Sequence, residues 1–271
     1  MNHELAFVGA GNMAEAIARS VIEKRLMTGD RMIAFDPSEP RRTVFAGMGV
    51  AIADSNAEAA GAAPIVLLCV KPQMMTQALA DLASGAVGEG QLVISIAAGI
   101  STGFIETHLG LGGAWRVIRA MPNTPMLVGL GATAMCRGRN AGDRDAQTAR
   151  ALFESAGVVI EVDEPLMDAV TAVSGSGPAY FFYLVEQMIA AWTELGLTVL
   201  VATTLVYQTA SGAARMLQAS PGELPAELRR RVTSPGGTTQ AAIEHMEAQR
   251  VGESIRQAIA AAQRRGRELG R

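Results

Sequence analysis

The chain has 271 residues, enough for one large domain or two modest ones. Hydrophobic residues make up 49% against 18% charged, which allows a sizeable core and excludes wholesale disorder. A net charge of −3 offers no basic field for a phosphate backbone, so no nucleic-acid partner is expected, and two cysteines, Cys69 and Cys136, give neither a disulfide framework nor zinc-ligand spacing.

Residues with catalytic side chains are few. Lys24 and Lys71 are the only lysines, and His3, His108 and His245 are scattered, so no metal site is expected. The N-terminus lacks the basic start and apolar core of a signal peptide, and the cysteine usage fits a reducing compartment, so a cytoplasmic location is expected. The most apolar stretch, residues 179–207, is interrupted by Glu186, Gln187, Glu194 and Gly196, which argues against a membrane span.

In chain order, short apolar runs at residues 5–8, 32–35, 65–70, 92–96, 117–120, 132–136 and 158–162 alternate with helical patterns such as 13–24 and 74–82. Apolar strands alternating with helices predict an α/β domain with a parallel sheet covered on both faces, and right-handed crossovers make it a doubly wound, Rossmann-type sheet. Beyond residue 164 the pattern changes. Helical spacing over 179–195, 199–219, 222–231, 239–247 and 252–267, without a convincing strand, predicts a second, all-helical domain. The expected division is 1–163 and 164–271. The first of the later helices is apolar nearly all round, as in Ala179-Tyr180-Phe181-Phe182-Tyr183-Leu184-Val185, and such a helix is buried on every side. A domain of only about 100 residues buries it best in a tightly packed dimer.

Gly9-Ala10-Gly11-Asn12-Met13-Ala14 follows the first strand and opens the first helix, the context that the G-x-G-x-x-G/A nucleotide fingerprint requires. Gly9 allows the tight turn, Gly11 the approach of a pyrophosphate, and Ala14 close packing of helix on strand. The free amides of the helix start face the phosphates. After the second strand, Asp36 stands where an acid would hold a ribose 2′-hydroxyl, favouring NAD, whereas Ser38, Arg41 and Arg42 would hold a 2′-phosphate, favouring NADP. Val70-Lys71-Pro72 and Ala97-Ala98-Gly99 end two further strands at the edge where such sheets bind ligands, and Lys71 is poised for the phosphates or ribose. Met121-Pro122-Asn123-Thr124-Pro125 forms a rigid loop at the same edge, suited to holding a nicotinamide.

Ser174-Gly175-Ser176-Gly177-Pro178 and Ser234-Pro235-Gly236-Gly237-Thr238-Thr239 each precede a helix. Either alone reads as ordinary capping; two in one helical domain suggest a small anionic substrate. The second domain has no lysine and a single histidine, His245. Alcohol oxidation needs a matched general base, whereas a protonated C=N bond accepts hydride directly.

Together these segments, with Ser95-Ile96-Ala97-Ala98-Gly99 and Asp168-Ala169-Val170-Thr171, resemble the pyrroline-5-carboxylate reductase family, in the family's order from residue 5 to about residue 245. The resemblance implies reduction of 1-pyrroline-5-carboxylate to L-proline, the last step of proline biosynthesis, by hydride transfer to the C=N carbon. The cofactor would be NADP(H), with NAD(H) as the other option. It also implies a helical domain that self-associates, commonly as a dimer or a decamer of five dimers.

Carried over by position, Gly9, Ala10, Gly11, Asn12 and Met13 would hold the pyrophosphate, and Asn56 and Lys71 would reach the adenosine end, beside Ser38. Val70, Pro72, Ala97, Pro122 and Asn123 would line the ribose and nicotinamide. Thr238 and the amides from Gly237 to Thr239 would bind the substrate carboxylate. Thr239 would hydrogen-bond the ring nitrogen and is the candidate catalytic residue. Glu164 and Ser234 would support the pocket, and Ser174, Ser176 and Gly177 would shape it. A β-hydroxyacid dehydrogenase of related architecture is the alternative enzyme, but the lysine expected on residues 179–195 is missing. A non-catalytic nucleotide-binding protein is the other alternative, but both substrate loops are intact.

Overall fold

The structure, a computed structural model, describes residues 3–269 except 85–87, 89 and 111–113. By contact density it divides into two units, residues 1–176 with 262–271, and residues 177–261.

The first unit begins with strand β1 (Leu5–Val8) and helix α1 (Asn12–Glu23), followed by β2 (Met32–Phe35), α2 (Glu39–Ala46), β3 (Ala51–Ile52), α3 (Asn56–Gly61) and β4 (Ile65–Leu68). Helix α4 (Met75–Ala83), β5 (Leu92–Ser95), α5 (Thr102–Leu109), β6 (Arg116–Met121), β7 (Gly131–Arg137), α6 (Asp143–Glu154), β8 (Gly157–Glu161) and the short α7 (Met167–Val170) complete it. The strands form one sheet in the order β3-β2-β1-β4-β5-β6-β7-β8. β1 pairs in parallel with both β2 and β4, Leu5 standing opposite Met32 and Ile65. The chain therefore winds one way from β1 and then the other, which leaves a crevice at the carboxyl ends of β1 and β4.

The apolar alternation explains why both sheet faces are covered. Leu5, Phe7 and Leu67 point into one cluster with Ile17 and Val21 of α1, Phe45 of α2 and Phe153 of α6. Phe7 and Phe45 meet edge to face with ring centroids 5.4 Å apart. Val8, Val66, Leu68 and Val93 point the other way, against Met75, Leu79 and Leu82 of α4 and Ile105 of α5. Alanines at 14, 16 and 18 let α1 lie close to the sheet.

One pairing departs from the expected parallel arrangement, and one strand was not expected at all. β7 runs antiparallel to β6, pairing Ile118 with Arg137. The connection from Met121 to Gly131 holds only a short 3₁₀ turn, too short for the crossover a parallel partner needs. The next connection contains α6, and β8 is again parallel to β7. β3 is two residues long, below the length at which an apolar run is legible.

The second unit is helical: α8 (Gly177–Glu194), α9 (Val199–Ala219), α10 (Pro225–Arg231), α11 (Thr238–Ala248) and most of α12 (Val251–Leu269). Gly196, at φ +91°, ends α8. The Thr198 hydroxyl caps α9 by accepting from Val201 N. The expectation that the helix after Pro178 is buried on every side does not hold within one chain. Phe181, Phe182, Tyr183 and Leu184 are all exposed, Phe181 by 66%. Apolar side chains in such number are not left to water by a soluble domain, so they mark an association surface. Among the described residues, no helix is long and apolar enough to cross a membrane.

Candidate active site

The crevice at β1 and β4 is where the glycine motif sits. Gly9 N donates to Phe35 O at 2.8 Å, and Cys69 N donates to Val8 O at 2.8 Å, so the ends of β1, β2 and β4 converge on the turn. Gly9 has φ +95°, and a Cβ there would lie 3.0 Å from the Cys69 carbonyl carbon. Gly11 is different: its backbone is ordinary, at φ −66°, and a Cβ would meet nothing within 4 Å. It is the N-cap of α1 and no side chain caps the helix. Open space beside an uncapped helix start fits the pyrophosphate of a dinucleotide.

The Asp36 carboxylate braces this turn. Ala10 N donates to its Oδ2 at 2.8 Å and Ser38 N to its Oδ1 at 2.9 Å. Arg41 donates from Nε to Ala10 O at 2.5 Å and from Nη2 to Glu15 Oε2 at 2.8 Å. Burial alone would raise the Glu15 carboxyl, but Arg19 and Arg41 together hold it below its ordinary value. Arg42 donates to the carbonyls of Asp36 and Pro37. The three charged groups from which cofactor preference was to be read are thus engaged in shaping the turn. The Ser38 hydroxyl makes no cap bond to α2.

The remaining predicted cofactor residues follow the neighbouring strands. Val70, exposed Lys71 and Pro72 follow β4, buried Ala97 follows β5, and buried Pro122 and Asn123 follow β6. Asn123 Oδ1 accepts from Ala132 N at 2.8 Å, and its Nδ2 donates to Ser174 O at 3.2 Å. Its amide therefore joins the loop after β6 to the Ser174 segment. Asn56 opens α3 and donates to Asp81 Oδ2 at 2.9 Å.

Glu164 precedes α7. Its carboxylate accepts from Thr102 N and Thr102 Oγ1, both at 2.7 Å, so it caps the start of α5. Arg119 lies 3.7 Å from the same carboxylate and donates to Asp168 Oδ1 at 3.1 Å. Sequence reasoning missed Arg119 and Thr102. The signal for Arg119 was present: one arginine in the apolar run 117–120, where a charge must find partners. Ser174 lies in a π-helical turn, Thr171–Gly175, closed by Ser176 N donating to Thr171 O at 2.9 Å. Such turns cluster at functional sites.

Gly177, Ser234, Gly237, Thr238 and Thr239 belong to the second unit. Gly237 N donates to Ser234 O at 3.0 Å, closing a turn in which Gly236 has φ +71°. The Gly237 amide is thereby engaged within the turn. Gly237 is the N-cap of α11, with no side-chain cap, so the first-turn amides of Thr238 and Thr239 are those left for an anion. Arg231 pairs with Glu223. Among the described residues no cluster of His, Cys, Asp and Glu is arranged to hold a metal ion.

Residues 164–269 match the family model for pyrroline-5-carboxylate reductase dimerisation, and residues 4–99 match one for NADP oxidoreductase, coenzyme F420-dependent. The pyrroline-5-carboxylate reductase of Pseudomonas aeruginosa is 42% identical over 98% of this chain and 96% of its own. The chain belongs to the pyrroline-5-carboxylate reductase family. A solved family structure from Coxiella burnetii superimposes with a TM-score of 0.88 at 35% identity, covering 100% of both chains. One from Plasmodium falciparum, solved with NADP bound, gives 0.89 at 29% identity over 100% of this chain and 99% of its own. The family's dimerisation region coincides with the helices whose apolar side chains are exposed, which accounts for that exposure by self-association.

Proposed function

We propose that the chain reduces 1-pyrroline-5-carboxylate to L-proline with NADPH or NADH, through residues 1–163 as nucleotide-binding domain and 164–271 as dimerisation and substrate-binding domain. The observation that carries the cofactor half is the uncapped α1 start behind Gly11, open at the β1/β4 crevice. Gly9 to Met13 hold the pyrophosphate there. Ser38, Asn56 and Lys71 serve the adenosine end, and Val70, Pro72, Ala97, Pro122 and Asn123 line the ribose and nicotinamide. When bound, the reduced nicotinamide supplies the hydride that saturates the C=N carbon.

The chain's own residues bind and orient the imine. The Thr238 and Thr239 amides at the start of α11 take its carboxylate, where the helix dipole favours an anion. The Thr239 hydroxyl holds the ring nitrogen and its proton. Ser234 closes the turn that presents these groups. Ser174, Ser176 and Gly177 shape the pocket, and Glu164 supports it by fixing the start of α5. Orientation supplies most of the rate, since positioning alone is worth roughly 7–11 kcal/mol. The absence of lysine from the second domain suits this chemistry, because an already protonated imine needs no strong base. The unit in solution is a homodimer or a decamer of dimers in the cytoplasm.

The experiment is growth complementation. Expression in a bacterial strain lacking its own reductase should restore growth without added proline, and Thr239→Ala should restore it poorly. Absence of growth from a strain that accumulates the folded protein would count against the reading.

A further inference from the structure

β6 is an interior strand whose neighbours Val117, Ile118 and Ala120 are buried, yet it carries Arg119, with a side chain only 5% exposed. A guanidinium so placed is held by its partners. One partner, Asp168, lies in α7 at 3.1 Å; the other, Glu164, lies at 3.7 Å. Glu164 in turn receives both hydrogen bonds from Thr102, at the end of the loop that begins at Ala97. One buried charge thus ties together the loop after β5, the strand leading to Pro122 and Asn123, and the segment leading to Ser174 and Ser176.

That last segment is held at its far end as well. Asn123 donates to Ser174 O, and Gly175 lies so close to Met121 that a Cβ there would stand 2.6 Å from the Met121 methyl. Between the two anchors runs the π-helical turn, a geometry rarely kept without outside support. All three tied segments carry residues assigned above to the nicotinamide or the imine.

We propose that Arg119 is a positioning residue: through Asp168 and Glu164 it sets the 174–176 segment against the loops after β5 and β6, and so fixes the imine relative to the nicotinamide. It touches neither ligand. The inference rests on the functional reading given above. The glycine turn that holds the pyrophosphate lies on other strands, so the bridge acts on turnover far more than on cofactor affinity.

The test uses Arg119→Lys, whose single ammonium cannot fork between two carboxylates, and Asp168→Asn, which removes one charge at nearly constant shape. Glu164→Gln is a milder third variant should either fail to fold by circular dichroism. Each should lower kcat about 10- to 100-fold, the scale of an ångström of misplacement, with the NADPH dissociation constant close to that of wild type. Asp168→Asn should also cost far less on a Ser176→Ala background than in wild type, because both act on the same segment. An unchanged kcat in the folded variants, a matching loss of NADPH affinity, or an equal cost on both backgrounds would overturn the proposal. If wild type fails to turn over 1-pyrroline-5-carboxylate, or Ser176→Ala leaves its KM unchanged, the functional reading itself fails and the proposal falls with it.

Discussion

The two glycines of the first turn separate folding from cofactor binding, and substituting each by alanine exposes the difference. At Gly9 the backbone has φ +95°, and a new Cβ would lie 3.0–3.1 Å from three backbone atoms of Cys69 and Val70. Holding alanine in that region costs about 1–3 kcal/mol, and displacing close backbone neighbours adds about 1 kcal/mol or more. Gly9→Ala should therefore lose about 2–4 kcal/mol of stability, a fall in Tm of roughly 4–16 °C for a chain of this size. At Gly11 the same methyl meets nothing within 4 Å and the backbone is unstrained. Its stability should change by less than about 1 kcal/mol, since alanine there also restricts the unfolded chain. The methyl would instead occupy the space assigned to the pyrophosphate. Overpacking of about 1–3 kcal/mol corresponds to a loss of NADPH affinity of about 5- to 150-fold. Thermal melts and fluorescence titration with NADPH read the two effects on the same samples. A Gly11→Ala variant that binds NADPH like wild type would refute this placement of the pyrophosphate, whatever happens at Gly9.

Asp36→Ala should weaken NADPH and NADH by similar factors, about tenfold each, because it removes the brace on Ala10 N and Ser38 N; parallel titrations check this, and a selective loss of NADH would return Asp36 to a ribose contact. Thr239→Ala should lower turnover by about 10²-fold with little change in the NADPH dissociation constant, and the opposite pattern in steady-state and binding data would remove Thr239 from the imine. Burial pushes both cysteine thiols up from their ordinary value near 9, Cys136 to about 12. Native protein at pH 8 should thus resist iodoacetamide, while denatured protein takes up two equivalents by mass. The same shifts mean that the stability the thiols contribute is complete below pH about 9 and is progressively lost as the pH rises from there towards their folded values, because the unfolded state sheds its protons first. Urea melts between pH 8 and 11 should show that decline, and a flat profile in wild type would contradict the burial.

Local features of this molecule were legible in its sequence and closed networks were not. The Gly9–Ala14 motif declares itself because every residue it needs lies within one turn. The apolar runs of β1 and β4 declare a sheet covered on both faces because nothing polar interrupts them. The reversal at β7 depends on the length of the preceding loop, and a loop length is read correctly only once both strand ends are known. The Thr102–Glu164 contact joins residues 62 apart in sequence, and Arg119 meets Asp168 across 49. Their meeting is a consequence of strand order, which periodicity does not encode. The lone arginine in an apolar strand was the one trace the bridge left in the sequence. The residues 181–184 run was legible in the opposite sense: its excess of apolar surface announced a partner that a single chain does not supply.

The decisive measurement mixes purified protein with 1-pyrroline-5-carboxylate and follows reduced-nicotinamide absorbance with NADPH and with NADH, with proline measured as product. A reductase gives substrate-dependent oxidation of at least one cofactor, with one proline formed per nicotinamide consumed. A folded oligomer that binds NADPH yet consumes none in the presence of the imine would contradict the proposed function.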